Sequence, residues 1–146
     1  MLREIFYNIY TKHVEPFYGV EIEWWEKPQL LCYLQGGKYG AHADADQWQQ
    51  GGKWKRNHDR DVSVLLYLND DFTGGKLNFP NQKLKVQPEP GLLVAFPSHH
   101  EYLHGAEPTE SGVRYALVSW AAIKGLPRLR EPPPATVFMR EFRQVH

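Results

Sequence analysis

The feature that most limits what this chain can fold into is a succession of short apolar runs, each cut off by a turn. The runs are Gln29–Leu34, the stretch around Tyr39–Asp44 after Gly36-Gly37, Asp61–Asn69, Lys76–Phe79, Lys83–Gln87, Leu92–Phe96, His99–Gly105 and Val113–Ala122. The breaks between them include Asn69-Asp70-Asp71, Gly74-Gly75, Pro80 and Pro88-Glu89-Pro90-Gly91, all strong turn chemistry. About eight short strands with turns this close predict a mainly β chain, as an all-β barrel or a double-sheet jelly roll.

The flanks read differently. Leu2, Ile5, Phe6, Ile9 and Tyr10 repeat at helical spacing, which predicts a helix over 2–15 that lays one apolar stripe on the sheet. Pro16 and Gly19 are the expected stop. Residues 46–59, rich in Gln, Gly and Lys, read as a long loop. Past Gly125 the prolines at 127 and 132–134 favour extended chain, and Thr136–Val145 reads as a short closing helix capped by Thr136. The expected division is therefore a domain over 1–125, with its core at 29–122, and a proline-rich extension over 126–146.

Composition narrows the partners. Lys plus Arg and Asp plus Glu are equal at 17 each in 146 residues, so no basic footprint for nucleic acid or membrane is expected. The basic cluster Lys53-Trp54-Lys55-Arg56-Asn57-His58 reads as a solvated loop. Cys32 is the single cysteine, which rules out an intrachain disulfide; its apolar surroundings predict a small buried side chain. The N-terminus has no leader-like apolar core and no run approaches a membrane span. Together these predict a soluble, cytoplasmic protein.

The chemistry centres on His42-Ala43-Asp44. Side chains two apart on a strand point to one face, so imidazole and carboxylate can converge on one ion. His104 stands downstream. Two histidines and a carboxylate form the donor set of non-haem Fe(II) oxygenases, which keeps metal positions open. Asp46 shares the parity of Asp44 and is a rival ligand. His104 and Arg114 flank 106–112, a segment with turn residues. An antiparallel hairpin there would set Arg114 opposite His104, pointing inward with Ala116, Val118 and Trp120. An inward guanidinium needs a carboxylate. None stands on that face, so the expected partner is a carboxylate ligand.

In order along the chain, these pieces resemble a 2-oxoglutarate- and Fe(II)-dependent dioxygenase of the prolyl 4-hydroxylase type. The resemblance rests on Cys32-Tyr33, His42-Ala43-Asp44, Arg60 through Asn69, and Gly74-Gly75-Lys76-Leu77-Asn78-Phe79-Pro80. Pro90-Gly91 through Phe96, His104-Gly105, Arg114 and Trp120 complete it. It implies a double-stranded β-helix, cupin-like in shape, with Fe(II) on His42, Asp44 and His104. It implies 2-oxoglutarate chelating the iron, its distal carboxylate on Arg114 and Tyr67, with Tyr33 beside it. Arg60, Tyr39 and Trp120 match the family's substrate side. The implied reaction uses O2, with ascorbate as reductant, and hydroxylates a prolyl residue of a peptide or protein while 2-oxoglutarate becomes succinate and CO2. The same chemistry on a free amino acid or small metabolite, a non-catalytic barrel that binds partners, and a cupin-like isomerase or sugar-binding protein are the rival readings.

Overall fold

The computed structural model describes residues 1–141. Helix α1 (Leu2–Ile9) passes through a wide π-helical turn at Tyr10–Val14 into α2 (Glu15–Tyr18). Pro16 therefore does not stop the helix: it sits in the first turn of α2, directly after the π-helical turn. Gly19, at φ +65°, is the stop. Phe6, Ile9, Tyr10 and Val14 are buried, whereas Leu2 and Ile5 remain exposed, so the buried stripe starts one turn later than the sequence spacing implies.

Among the described residues fourteen strands follow: β1 (Ile22–Glu26), β2 (Gln29–Tyr33), β3 (Tyr39–His42), β4 (Asp46–Gln49), β5 (Lys53–Arg56), β6 (Val62–Tyr67), β7 (Thr73–Gly74), β8 (Leu77–Phe79), β9 (Leu84–Val86), β10 (Leu93–Pro97), β11 (His104–Ala106), β12 (Thr109–Ser111), β13 (Arg114–Ile123) and β14 (Val137–Met139). The larger sheet runs β10-β6-β13-β1-β14, with β2 also on β13. The smaller sheet runs β3-β11-β8-β9. The mainly β, jelly-roll expectation holds: the two sheets face one another across a shared interior.

Alternation along the central strands divides the interior in two. Val62 and Val64 of β6, with Leu117 and Ala121 of β13, face the N-terminal helices. Leu65 and Tyr67, with Ala116, Val118 and Trp120, face the smaller sheet and pack on Leu77, Phe79 and Phe96. Period-two side chains on a sheet buried on both faces require this arrangement. Each large apolar side chain so buried contributes on the order of 2 kcal/mol.

Four local expectations are corrected. The hairpin expected between His104 and Arg114 does not form. His104–Ala106 pairs with β3 and β8 in the smaller sheet, whereas Arg114–Ile123 pairs with β2, β6 and β1 in the larger. The segment between them crosses from one sheet to the other, and β12 is taken up by β7. Residues 46–59 are not a loop throughout: β4 and β5 form a hairpin held by the cross-strand pair Trp48↔Trp54. Cys32 is exposed, because on β2 the even positions Leu30 and Cys32 face outward while Leu31 and Tyr33 line the interior cavity. Finally, the expected helix from Thr136 is at Val137–Met139 a strand, paired with β1; residues 142–146 of that expectation lie outside the described residues. Among the described residues three ion pairs hold the extension to the body: Arg140 to Glu15 at 2.9 Å, Arg128 to Glu23 at 3.1 Å and Arg128 to Asp61 at 3.3 Å. Among the described residues no helix is long and apolar enough to cross a membrane.

Candidate active site

The register of β3 on β11 sets His42 directly opposite His104, with ring centroids 4.3 Å apart. Gly105 allows the two backbones to come this close. A Cβ there would lie 2.7 Å from the Tyr39 carbonyl oxygen. Each imidazole is oriented by its neighbour's backbone: Nδ1 of His42 lies 2.9 Å from the Gly40 carbonyl and Nδ1 of His104 lies 3.0 Å from that of Tyr102. A carbonyl only accepts, so Nδ1 carries the proton in both rings and donates it. Each Nε2 then offers its lone pair, the usual arrangement behind a metal-binding histidine.

Asp44 follows β3 by two residues and completes the cluster. Its Oδ1 lies 3.2 Å from Nε2 of His42 and 3.4 Å from Nε2 of His104. One ligand atom from each of the three residues falls within 4.8 Å of the others. Burial alone would raise the Asp44 carboxyl, but the imidazoles of His104 and His42, which donate to it through Nε2 when protonated, outweigh burial with help from Ser63 and hold the group well below the usual carboxylate range. Burial pulls the His42 imidazole down, and its contacts with Asp44 and the Gly40 carbonyl more than reverse that, leaving it above its ordinary value. A site that concentrates negative charge against two lone pairs is suited to a cation.

Asp46 does not join the cluster. Its Oδ2 accepts hydrogen bonds from the backbone N–H of His100 at 2.8 Å and from Nδ1 of that residue at 2.7 Å. His100 in turn stacks on Trp54, ring planes within 5°. Asp46 therefore pins the β4–β5 hairpin to the body beside the cluster.

The other end of the same cavity holds Arg114, which is 2% exposed. Its guanidinium lies against the rings of Tyr33 and Tyr67, at 4.7 and 5.0 Å from their centroids, and Nη2 donates to the Tyr67 hydroxyl at 3.1 Å. Nε and Nη1 have no hydrogen-bond partner, and among the described residues no carboxylate reaches the group. A buried cation with open donors is costly unless a carboxylate arrives. The inward parity with Ala116, Val118 and Trp120 is as expected, although Arg114 lies opposite Tyr33 of β2 and not His104.

A cavity of about 670 Å³ joins the two ends, with Leu65, Phe96 and Val118 among the apolar residues between them. A cation-binding cluster at one end and a guanidinium with open donors at the other fit a small acid that can bind a metal and also carries a distal carboxylate. A sequence model described as the 2OG-Fe(II) oxygenase superfamily matches residues 28–122. The chain belongs to that superfamily.

Among relatives, this oxygenase is 31% identical to a putative prolyl 4-hydroxylase of Acanthamoeba polyphaga mimivirus, over 82% of the present chain and 52% of the relative. Its fold is similar to that of a viral collagen prolyl hydroxylase from Paramecium bursaria chlorella virus 1, at TM-score 0.66 and 22% identity, over 84% of this chain and 73% of that one. It is also similar to a Trichoplax adhaerens prolyl hydroxylase in complex with a hypoxia inducible factor peptide fragment, at TM-score 0.57 and 29% identity, over 70% and 46% of the two chains. The chain spans about half the length of the mimivirus relative and 9–14% of the vertebrate prolyl 3-hydroxylases it also matches.

The oxygenase cavity also receives the other residues that the sequence singles out. Tyr39 is 53% exposed at its mouth and sets its ring edge against His42 at 4.2 Å. Trp120 is buried in the wall. Arg60 stacks on Trp120 at 3.8 Å, but its guanidinium is taken by Glu26, at 2.6 and 3.0 Å, and by the Asp44 carbonyl at 3.3 Å. Residues not anticipated are Ser63 and Ser98 behind Asp44, Glu26 behind Arg60, and Trp48 with Trp54 at the mouth. Ser63 alone carried a signal: it is the one polar residue inside an apolar strand and shares the parity of Tyr67.

Proposed function

We propose that this protein hydroxylates a prolyl residue in a peptide or protein, in the manner of a prolyl 4-hydroxylase, using Fe(II), 2-oxoglutarate and O2. His42, Asp44 and His104 are the metal ligands. Arg114 and Tyr67 receive the distal carboxylate of 2-oxoglutarate, with Tyr33 as the ring beneath. The observation that carries the reading is the buried Arg114 guanidinium, with Nε and Nη1 bare, in the same cavity as the His/Asp/His cluster. A sugar-binding or isomerase barrel has no use for that cation.

When bound, the iron and cosubstrate supply the oxidative step, in which 2-oxoglutarate yields succinate and CO2 and one C–H of the substrate becomes C–OH. The chain's own residues do the rest. Nδ1 hydrogen bonds fix both imidazoles. Arg114 aligns the cosubstrate through charge-assisted bonds, and Leu65, Phe96 and Val118 keep water from the reacting centre. Ascorbate serves as the external reductant.

A peptide substrate is supported by the mouth of the cavity, where Tyr39 and Trp48 are 53% and 58% exposed. Aromatic faces are the usual dock for an extended proline-bearing chain. Arg60, engaged by Glu26, keeps Trp120 in place under that dock. The test measures succinate and peptide mass together, with Fe(II), 2-oxoglutarate and ascorbate, over a proline-containing peptide library. The expected result is a gain of one oxygen on proline with matching succinate. Oxygen gained by a free amino acid and by no peptide would refute the substrate assignment.

A further inference from the structure

Strand β6 is apolar except at Ser63, which is completely buried, as is Ser98 to within 1%. Ser63 Oγ lies 2.6 Å from Asp44 Oδ2 and 2.7 Å from Ser98 Oγ. The direction of these bonds follows from chemistry. An ionised carboxylate can only accept, so the one Ser63 hydrogen points to Asp44. Ser63 then accepts from Ser98, whose hydrogen points to it. The result is a directed relay, Ser98 to Ser63 to Asp44 Oδ2, in which each bond polarises the next.

The two carboxylate oxygens of Asp44 are thereby made unequal. Oδ2 is turned into the wall and saturated, while Oδ1 faces both Nε2 atoms. We propose that Ser63 is a positioning residue that limits Asp44 to metal donation through Oδ1 alone, and that Ser98 orients its hydroxyl. This rests on the assignment of His42, Asp44 and His104 as the metal site. The benefit is a free coordination position. Three single-atom protein donors leave three positions on a six-coordinate ion, and a two-oxygen Asp44 would occupy one that the cosubstrate or O2 needs. The backbone supports the same device: Ser98 accepts from the Ala45 N–H at 2.9 Å and its own N–H donates to the Asp61 carbonyl at 3.0 Å, so the residue behind the relay also fixes the turn that carries Asp44.

The experiment titrates Co(II) into the metal-free protein and reads both affinity and the visible ligand-field spectrum, which changes when a second carboxylate oxygen replaces a water on the six-coordinate ion. In Ser63→Ala the carboxylate is free to turn, so affinity should fall about 10- to 100-fold, the usual effect of losing an outer partner of a metal ligand, and the ligand-field spectrum should change. Ser98→Ala keeps the bond from Ser63 to Asp44 and should retain the wild-type spectrum. Ser63→Ala with Ser98→Ala leaves no unpaired buried hydroxyl; it should melt higher than Ser63→Ala alone yet keep its altered affinity and spectrum. Wild-type affinity and spectrum in folded Ser63→Ala, or in the double variant, would overturn the positioning role while leaving the metal site standing. Equal spectral change in Ser98→Ala would overturn it too, as general loosening of a buried pair. Absence of His42-dependent Co(II) binding in the wild type would overturn both assignments.

Discussion

Arg114 provides the sharpest test of the cosubstrate assignment. In the folded chain its Nη2 is bonded to Tyr67 and its Nε and Nη1 are open. A carboxylate meeting those donors forms charge-assisted bonds at a buried position, worth on the order of 3 kcal/mol, or roughly 100-fold in affinity. Arg114→Ala should therefore weaken 2-oxoglutarate binding by about that factor, measured by calorimetry on the Mn(II)-loaded protein without oxygen. Mn(II) affinity itself should stay within a few-fold, because Arg114 contacts none of the three proposed ligands. Arg114→Lys should fall between, keeping the charge and losing the planar fork. Pyruvate, a 2-oxo acid without the distal carboxylate, should bind weakly to the wild type and lose little further in Arg114→Ala. Equal binding of pyruvate and 2-oxoglutarate by the wild type would refute the assignment, as would a 2-oxoglutarate affinity unmoved by Arg114→Ala.

Three further outcomes are expected. His104→Ala and Asp44→Ala should abolish Mn(II) binding and succinate release, whereas Asp46→Ala should leave metal affinity near wild type and raise the KM for peptide by freeing the β4–β5 hairpin; metal titration and peptide kinetics separate the two. Mn(II) at 100 times its dissociation constant should stabilise the fold by about 2.7 kcal/mol, reversed by a chelator and visible in a melting scan. That stabilisation should fade as pH drops, because a coordinating imidazole must be neutral; Asp44 outweighs burial to raise the His42 pKa, so the fade should begin above the ordinary imidazole range. Gly105→Ala should push β11 off β3, since its Cβ would sit 2.7 Å from the Tyr39 carbonyl, and so weaken metal binding without touching a ligand; unchanged affinity in the folded variant would contradict the close-approach argument.

How much of this was visible in the sequence depends on how local the cause is. His42 and Asp44 sit two residues apart, so strand parity alone brings them together. The inward face of Arg114, Ala116, Val118 and Trp120 follows from the same regularity within one strand. Which strand lies beside β13 does not, and a symmetric hairpin was the wrong inference: turn residues at 106–112 signal a break but not that the chain changes sheets there. Trp48 and Trp54 form a hairpin in a polar stretch because the two indoles pair across strands, a contact no period-two pattern displays. Thr136 has good capping chemistry, yet the next residues are a strand because β1 offers an open edge. Cys32 is exposed for a comparable reason, as β2 covers β13 with only one of its faces turned inward.

Strand β6 has a consequence for which acids the site accepts. One face carries Ser63 behind the metal cluster and Tyr67 beside Arg114, four residues apart, which is roughly 13 Å of backbone. Flanked on both sides by β10 and β13, that span cannot stretch or shorten. The strand is a ruler. A 2-oxo diacid one methylene shorter, oxaloacetate, or one longer, 2-oxoadipate, shifts its far carboxylate by about 1 Å, beyond the roughly 0.5 Å window in which an N–H···O bond keeps its strength. On the proposed cosubstrate assignment, selection for a five-carbon acid is therefore a property of hydrogen-bonded sheet spacing, and a change of register in β6 would alter it without touching Arg114.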